Sequence, residues 1–356
     1  MKVFSCMTDI LMGSSAEKVL KQRNFGKIMV ISDPFFAKNG VAQRLGQQAA
    51  EYEIFDKVAP DPSVELVAQG TAELKRFAPD ALVALGGGSA IDCAKAMLYF
   101  SERKIPLIAV PTTSGSGSEV TDFAILTHGG IKHPLVDTAL KPTVAILDDQ
   151  MVSSLPPALI ADGGFDVLAH ALESWVGSNS NPMTDALALE AFQTVYTHLR
   201  ASFEGDQSAR FPIHAASTMA GLAFTQAGLG VCHALAHALG GAFHLPHGRL
   251  NAILLPAVIA CNGADARYAA LARRAGLGGS SDVMALRNLK NGLCRLRTQL
   301  SLPATLRQAG VDPTALRQKT EDLIRAALAD PCCKTNPTPV TEAMLRHILQ
   351  EVSGVG

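Results

Sequence analysis

Two stretches of this chain carry side chains at spacings that converge on one chemical centre. The segment ADGGFDVLAHALESW (161–175) holds Asp166 and His170 four residues apart. The segment GVCHALAHALGGAFHLPHG (230–248) holds His233 and His237 four apart, then His244 and His247. On a helix, residues four apart share a face, with Cβ atoms about 5–6 Å apart. Both segments are otherwise apolar and alanine-rich. A buried imidazole or carboxylate without a partner costs roughly 2–7 kcal/mol, and a divalent metal ion is the partner that one carboxylate and several imidazoles can share. Such a donor set suits Fe(II), Zn(II), Mn(II) or Co(II) and does not choose among them. Six side chains, Asp166, His170, His233, His237, His244 and His247, compete for about four places, and spacing alone does not rank them. Cys232 adjoins His233, but neighbours in sequence point to different faces of a helix.

The elements that must position a second ligand lie earlier. Apolar runs at KIMVIS (27–32), EYEIF (51–55), ALVALGGGS (81–89), IPLIAVPTTSGSGSEV (105–120) and TVAILDD (143–149) alternate with helical patterns, one starting at Ser63 with Glu65 in its first turn and another covering Ile91 to Phe100. Strands alternating with helices predict a parallel sheet wrapped by helices, whose ligands bind beyond the carboxyl ends of the strands. Gly86-Gly87-Gly88-Ser89 follows one such strand and opens a helix. Glycines let a phosphate approach the backbone, and the helix start offers free N–H groups and a positive dipole end. This is neither GxGxxG nor a Walker loop, and a tight strand-to-helix turn alone would also account for it. A second hydroxyl-rich loop, Pro111 to Glu119, follows another strand. Asp33 ends a third, where a carboxylate would accept from an adenosine ribose and repel a 2′-phosphate, favouring NAD over NADP.

A chain of 356 residues exceeds what one core usually supports, so two domains are expected. The pattern changes at MVSSLPP (151–157), and beyond it only helices are predicted. The expected architecture is an α/β dinucleotide-binding, Rossmann-like domain at 1–155 followed by an all-α metal-binding domain at 156–356. A net charge of −1 and a pI near 6.8 argue against a nucleic-acid or anionic-membrane surface. Seven cysteines without a CxxC pattern read as free thiols of a reducing compartment. MKVFSCMTDI lacks the shape of a secretory signal, and no run of about 18 apolar residues predicts a membrane span. A cytoplasmic protein is expected.

The motifs GGGSAIDCAK (86–95), PTTSGSGSEVT (111–121), ADGGFDVLAHALESW (161–175), GLGVCHALAHALGGAFHLPHG (228–248) and DPCCKTNPTPVT (330–341) follow one another over nearly the whole chain. Together they resemble the iron-containing (group III) alcohol dehydrogenases. Within that family the nearest resemblance is to the propanol and ethanol dehydrogenases of propanediol- or ethanolamine-utilisation microcompartments. The resemblance implies an active site in the cleft between the two domains. It implies metal ligation by Asp166, His170, His233 and His247, with Fe(II) as the ion and Zn(II) as the alternative. His237 then lies near nicotinamide and metal as a proton relay, and Phe224 is a substrate-pocket aromatic. His244 matches no ligand of the family.

On the cofactor side the resemblance implies NAD(H), held by Gly87, Gly88, Ser89 and Asp92 at the phosphate turn and by Thr112, Thr113, Ser116 and Thr121 in the second loop. Asp33 matches the acidic residue associated with NAD preference, and Lys132, in GIKHPL, a cofactor-proximal lysine. The implied activity is reversible hydride transfer between NADH and a small aliphatic aldehyde such as propionaldehyde or acetaldehyde. The implied setting is a homo-oligomer, a dimer or larger, in the cytoplasm or in a bacterial microcompartment alongside its enzymes and shell. Two alternatives are carried forward: a polyol dehydrogenase of the same fold, of lactaldehyde or glycerol type, and a metal-dependent hydrolase using the same ligands to activate water.

Overall fold

The structure, a computed structural model, describes residues 4–129, 131–263 and 265–354. Residues 1–3, with which the N-terminal reading began, and Gly130 of GIKHPL lie outside the described residues. The chain forms two compact units, Ser5–Leu155 and Pro156–Gly356.

In the first unit the apolar runs become strands β1 (Asp9–Met12), β2 (Lys27–Ser32), β3 (Glu51–Phe55), β4 (Ala81–Gly86), β5 (Leu107–Pro111) and, further on, β8 (Val144–Leu147). They form one sheet in the order β1-β8-β5-β4-β2-β3, parallel at every pairing. Strands β4, β5 and β8 are buried along their whole length, as central parallel strands covered on both faces must be. The covering helices are α1 (Ala16–Arg23), α2 (Pro34–Lys38), α3 (Val41–Gly46), α4 (Val64–Phe77), α5 (Gly88–Ser101) and α6 (Asp149–Val152). Ser63 caps α4 by accepting from the Leu66 N–H at 3.1 Å. The chain leaves β2 for β3 at one edge, then resumes with β4 on the other side of β2. That reversal, the place where open α/β sheets bind ligands, lies between Asp33 after β2 and Gly87 after β4.

Sequence patterning did not anticipate a hairpin of β6 (Phe123–His128) and β7 (Ile131–Val136), paired antiparallel from Phe123↔Val136 to His128↔Ile131. Ala124 and Leu126 point into the unit and are buried, but Pro134 interrupts the run, and a strand proline is tolerated only at an edge.

Among its described residues the second unit holds helices and no strand. Its helices are α7 (Pro157–Val176), α8 (Pro182–Phe203), α9 (Arg210–Ala227), α10 (Val231–Phe243), α11 (His247–Cys261), α12 (Asp265–Arg274), α13 (Asp282–Gln299), α14 (Pro313–Ala329) and α15 (Glu342–Ser353). Helix α7 packs against α8, α9 and α11. It is buried along most of its length, which explains its near-continuous apolar sequence. Pro256 inside α11 cannot donate to the Ala252 carbonyl one turn back. Arg297 Nη1 of α13 donates there instead, at 3.2 Å. No single helix among the described residues is long and apolar enough to cross a membrane.

His214 of α9 is buried, and burial pulls its pKa down to about 4 from about 6.5 in an unfolded chain. The native form is neutral, so unfolding takes up a proton below pH 6.5. The stability held by neutral His214 is full above about pH 6.5 and falls as the pH drops toward 4, with a limiting slope of about 1.4 kcal/mol per pH unit. Urea titrations of the unsubstituted protein and of His214→Met between pH 7 and 4.5 are expected to diverge, the variant showing the shallower acid loss. Parallel curves would remove His214 from the acid response.

Candidate functional site

In the second unit Asp166 is faced by His170 of its own helix, His233 of α10 and His247 of α11. Its Oδ1 lies 3.9 Å from His170 Nε2, 3.8 Å from His233 Nε2 and 3.5 Å from His247 Nε2. These separations exceed hydrogen-bond length, and all three imidazole nitrogens face the same carboxylate oxygen. The donor atoms of Asp166, His233 and His247 all lie within 4.8 Å of one another. The rings of His170 and His233 stack with centroids 4.5 Å apart.

The electrostatics of the cluster fit a cation. Burial alone would raise Asp166, but His170, His247 and His233 outweigh it and hold the carboxyl well below its ordinary range. Burial would lower His233, yet the Asp166 and Glu173 carboxylates that face its two nitrogens push it up to about 9. Burial and the neighbouring imidazoles keep His247 well below 6.5. The three imidazoles therefore crowd one carboxylate oxygen, each with Nε2 within 3.9 Å of it. One carboxylate and three imidazole nitrogens are a donor set for Fe(II) or Zn(II), and Asp166, His170, His233 and His247 are the residues that would hold it.

The supporting side chains come from distant parts of the chain. Asn251, one turn after His247 on α11, donates from Nδ2 to Asp166 Oδ1 at 2.7 Å. Glu173 Oε2 accepts from His233 Nδ1 at 2.6 Å, both side chains being 1% exposed. Arg249 pairs with Asp162 at 3.0 Å, tying the start of α11 to α7. Gly248 makes that approach sterically feasible, because a β-carbon there would overlap the Asp162 carbonyl oxygen.

The remaining histidines separate by their surroundings. His237 Nδ1 bonds Asp330 Oδ2 at 2.8 Å, and its ring stacks on His247 with centroids 5.1 Å apart. Burial would raise Asp330, but its hydrogen bond and charge contact with His237 hold it at about 2. His244 is exposed and ends α10 in a left-handed conformation, φ 55°, turning the chain toward His247. Phe224 is buried, and its ring stacks on His170 with centroids 4.3 Å apart. It fixes the plane of that imidazole. Glu173, Asn251 and Asp330 were not singled out from sequence. Glu173 carried a signal, a carboxylate in an apolar helix three residues after His170. Asp330 opens the motif DPCCKTNPTPVT, but nothing local ties it to His237, 93 residues away.

In the first unit Gly87 is the N-cap of α5, with Gly88 and Ser89 its first two residues. Their N–H groups belong to the first turn, which has no intrahelical acceptor for them. A β-carbon on Gly87 would stand 2.9 Å from Thr113 Oγ1, and one on Gly88 2.9 Å from Ser116 Oγ. The two loops therefore lie against each other through these glycines. Asp33 lies beside the same turn. Its Oδ1 caps α2 by accepting from Phe35 and Phe36, and its Oδ2 is 3.9 Å from where a β-carbon on Gly86 would sit. Thr112 is buried, its N–H on the Gly86 carbonyl at 3.0 Å.

Two residues expected to meet the cofactor are spent on the scaffold instead. Asp92 accepts from Ser118 Oγ at 2.5 Å and from the Ile125 N–H at 3.0 Å. Thr121 is fully buried and accepts from Lys95 Nζ at 2.9 Å. Lys95, which sequence reading passed over, also donates to Ser118 Oγ at 3.0 Å and to the Phe123 carbonyl at 2.9 Å. Burial draws its pKa down to about 8 against the pull of Asp92, Glu119 and Asp122. Asp92 and Lys95 thereby lock the second loop onto α5. Lys132 pairs with Asp61 at 2.6 Å.

Residues 8–149 match the family model described as iron-containing alcohol dehydrogenase, and residues 160–353 that of the Fe-containing alcohol dehydrogenase family, C-terminal. The chain is 40% identical over 369 residues to a 1-propanol dehydrogenase, PduQ, of Citrobacter freundii, covering 99% of this chain and 100% of the relative. Among solved structures it is similar to an iron-containing alcohol dehydrogenase from Thermococcus thioreducens, with a TM-score of 0.91 and 30% identity over 99% of this chain and 100% of that one. A sulfoacetaldehyde reductase from Bifidobacterium kashiwanohense in complex with NAD+ gives a TM-score of 0.89 at 26% identity, with all of both chains covered.

The Gly248 contact yields a test independent of turnover. Gly248→Ala is expected to push α11 off α7, carrying His247 and Asn251 away from Asp166. Metal per chain, measured by plasma emission after anaerobic reconstitution, should fall well below that of the unsubstituted protein, with a stability loss of about 1–3 kcal/mol. Full metal loading in the variant would show that this close approach does not set the position of His247.

Proposed function

Because the chain belongs to the iron-containing alcohol dehydrogenase family, we propose that it reduces a small aliphatic aldehyde, propionaldehyde or acetaldehyde, with NADH, and runs the reverse oxidation. The observation that carries the reading is the convergence of Asp166, His233 and His247 donors within 4.8 Å of one another, with His170 facing the same Asp166 oxygen at 3.9 Å, in a chain that matches a 1-propanol dehydrogenase from end to end. When bound, the divalent ion supplies Lewis acidity toward the carbonyl oxygen and the nicotinamide supplies the hydride.

The protein's own groups do the rest. Asn251 and Glu173 hold Asp166 and His233 in place, and Phe224 holds the ring of His170. Asp330 is an acceptor only, so it keeps the His237 proton on Nδ1 and leaves Nε2 to pass a proton between solvent and the product oxygen. The first helical turn at Gly87, Gly88 and Ser89 offers N–H groups to the pyrophosphate, with Thr113 and Ser116 against it. Asp33 Oδ2 serves as the ribose acceptor that disfavours a 2′-phosphate. The reading extends to a homo-oligomer working in the cytoplasm or a bacterial microcompartment; the likeness to the propanol dehydrogenase PduQ supports the microcompartment setting.

Three measurements test this. Metal-loaded protein should consume NADH absorbance with propionaldehyde, acetaldehyde or lactaldehyde under anaerobic conditions; no turnover on the whole panel would defeat the proposal, and preference for lactaldehyde would move it to the polyol class. Asp33→Ser should raise the NADPH-to-NADH ratio of kcat/KM by about tenfold, corresponding to about 1.4 kcal/mol; an unchanged ratio dismisses Asp33 as the discriminator. Asp330→Asn should lower kcat by about 100-fold, at the lower end of what general acid–base groups contribute, with metal content unchanged. Equal loss of metal would assign Asp330 to the metal centre instead of the relay.

A further inference from the structure

The N-terminus of α10 is capped from another helix. Its N-cap residue, Gly230, has no side chain with which to cap it. The Glu173 carboxylate of α7 stands in: Oε2 accepts from the Gly230 N–H at 2.8 Å, and Oε1 from the Cys232 N–H at 2.7 Å. The intervening Val231 N–H goes to Asn336 Oδ1 at 3.2 Å. The next side chain, that of His233, donates its Nδ1 proton to Glu173 Oε2 at 2.6 Å. One fully buried carboxylate therefore takes three donors, two from the backbone of a helix end and one from an imidazole. A negative group is favoured at that end of the helix dipole.

We infer that Glu173 is a positioning residue that fixes His233 in the tautomer with its proton on Nδ1 and its lone pair on Nε2, joining the cap of α10 to the metal site. The inference rests on the reading of His233 as a ligand. The three-donor arrangement makes it specific, because an ionised carboxylate is an acceptor at both oxygens. A glutamine has one acceptor oxygen and one NH2. With the NH2 in the place of Oε1, it meets the Cys232 N–H, donor against donor. With the NH2 in the place of Oε2, it meets the Gly230 N–H and also drives the His233 proton to Nε2, where the lone pair is needed. Neither orientation satisfies all three donors. Acceptors behind ligand histidines commonly matter by 10- to 100-fold in metal affinity.

The experiment uses Co(II), whose visible bands report the ligand field without turnover. Glu173→Gln is expected to fold, by circular dichroism, and to bind Co(II) about 10- to 100-fold more weakly with shifted d–d bands. Asn336→Ala, which removes the Val231 cap and does not touch His233, should lower the melting temperature and leave Co(II) affinity and bands as they were. Co(II) affinity and bands unchanged in Glu173→Gln would overturn the inference. So would an equal loss of affinity in Asn336→Ala, since capping alone would then suffice. His233→Ala serves as the reference: retained Co(II) there would overturn the ligand reading itself. Should Glu173→Gln not fold, ring 15N shifts of the Zn(II)-loaded, unsubstituted protein decide the matter. Zinc on Nε2 of His233 with a protonated Nδ1 is the expected result, and zinc on Nδ1 the contrary one.

Discussion

A carboxylate buried in an apolar helix bundle has to be compensated, and much of the second unit is arranged around the compensation of Asp166. An isolated ionised carboxylate in such a setting would protonate rather than stay charged. Asp166 stays charged because three imidazoles and the Asn251 amide close around one of its oxygens. Those imidazoles need orientation of their own. Each support is itself a local solution: Glu173 doubles as a helix cap, Phe224 is a core residue laid flat on His170, and Arg249 joins two helix segments through Asp162. The site is costly to assemble and unforgiving of a missing part, since half-satisfied buried networks are worse than none.

The first unit answers a different constraint with little charge. Its candidate nucleotide turn relies on backbone N–H groups at the start of α5 and on two glycines that let the second loop close up. Ionic groups appear one layer beneath. Lys95 directs its ammonium at two hydroxyls and a carbonyl, and Asp92 takes a hydroxyl and an N–H from the same neighbourhood. A loop made of glycine, serine and threonine carries no apolar side chains with which to pack itself. A buried lysine and aspartate supply the rigidity that its composition withholds.

The sequence made the local patterns readable. The (i, i+4) pairs, the strand runs and the glycine turn at the end of β4 depend on neighbours a few residues apart, where period and propensity carry information. What it hid depends on folding. Asp166 and His170 announce themselves, but Asp330 meets His237 across 93 residues and Asn336 meets α10 across 105. His237, His244 and His247 have the same chemistry and comparable spacing. They part company only when one ring faces Asp330, one ends a helix in the solvent and one faces Asp166. Asp92 and Thr121 resembled ligand contacts because they sit within the loops that the motif marks. The hydroxyl and the lysine that occupy them come from 26 residues away. The β6–β7 hairpin escaped notice because Pro134 argues against a strand unless the strand lies at an edge.

Helix α7 places Asp162, Asp166, His170 and Glu173 at intervals of four, four and three residues, close to whole turns of an α-helix. All four stand on one stripe: Asp162 and Asp166 meet Arg249 and His247 of α11, and His170 and Glu173 meet His233 of α10. Inserting or deleting one residue within that span would rotate everything beyond it by about 100° and withdraw several partners in a single step. Lineages carrying this chain are therefore expected to accumulate length changes in the loops between helices and only substitutions between 162 and 173. The helix works as a ruler whose graduations can be repainted but not respaced.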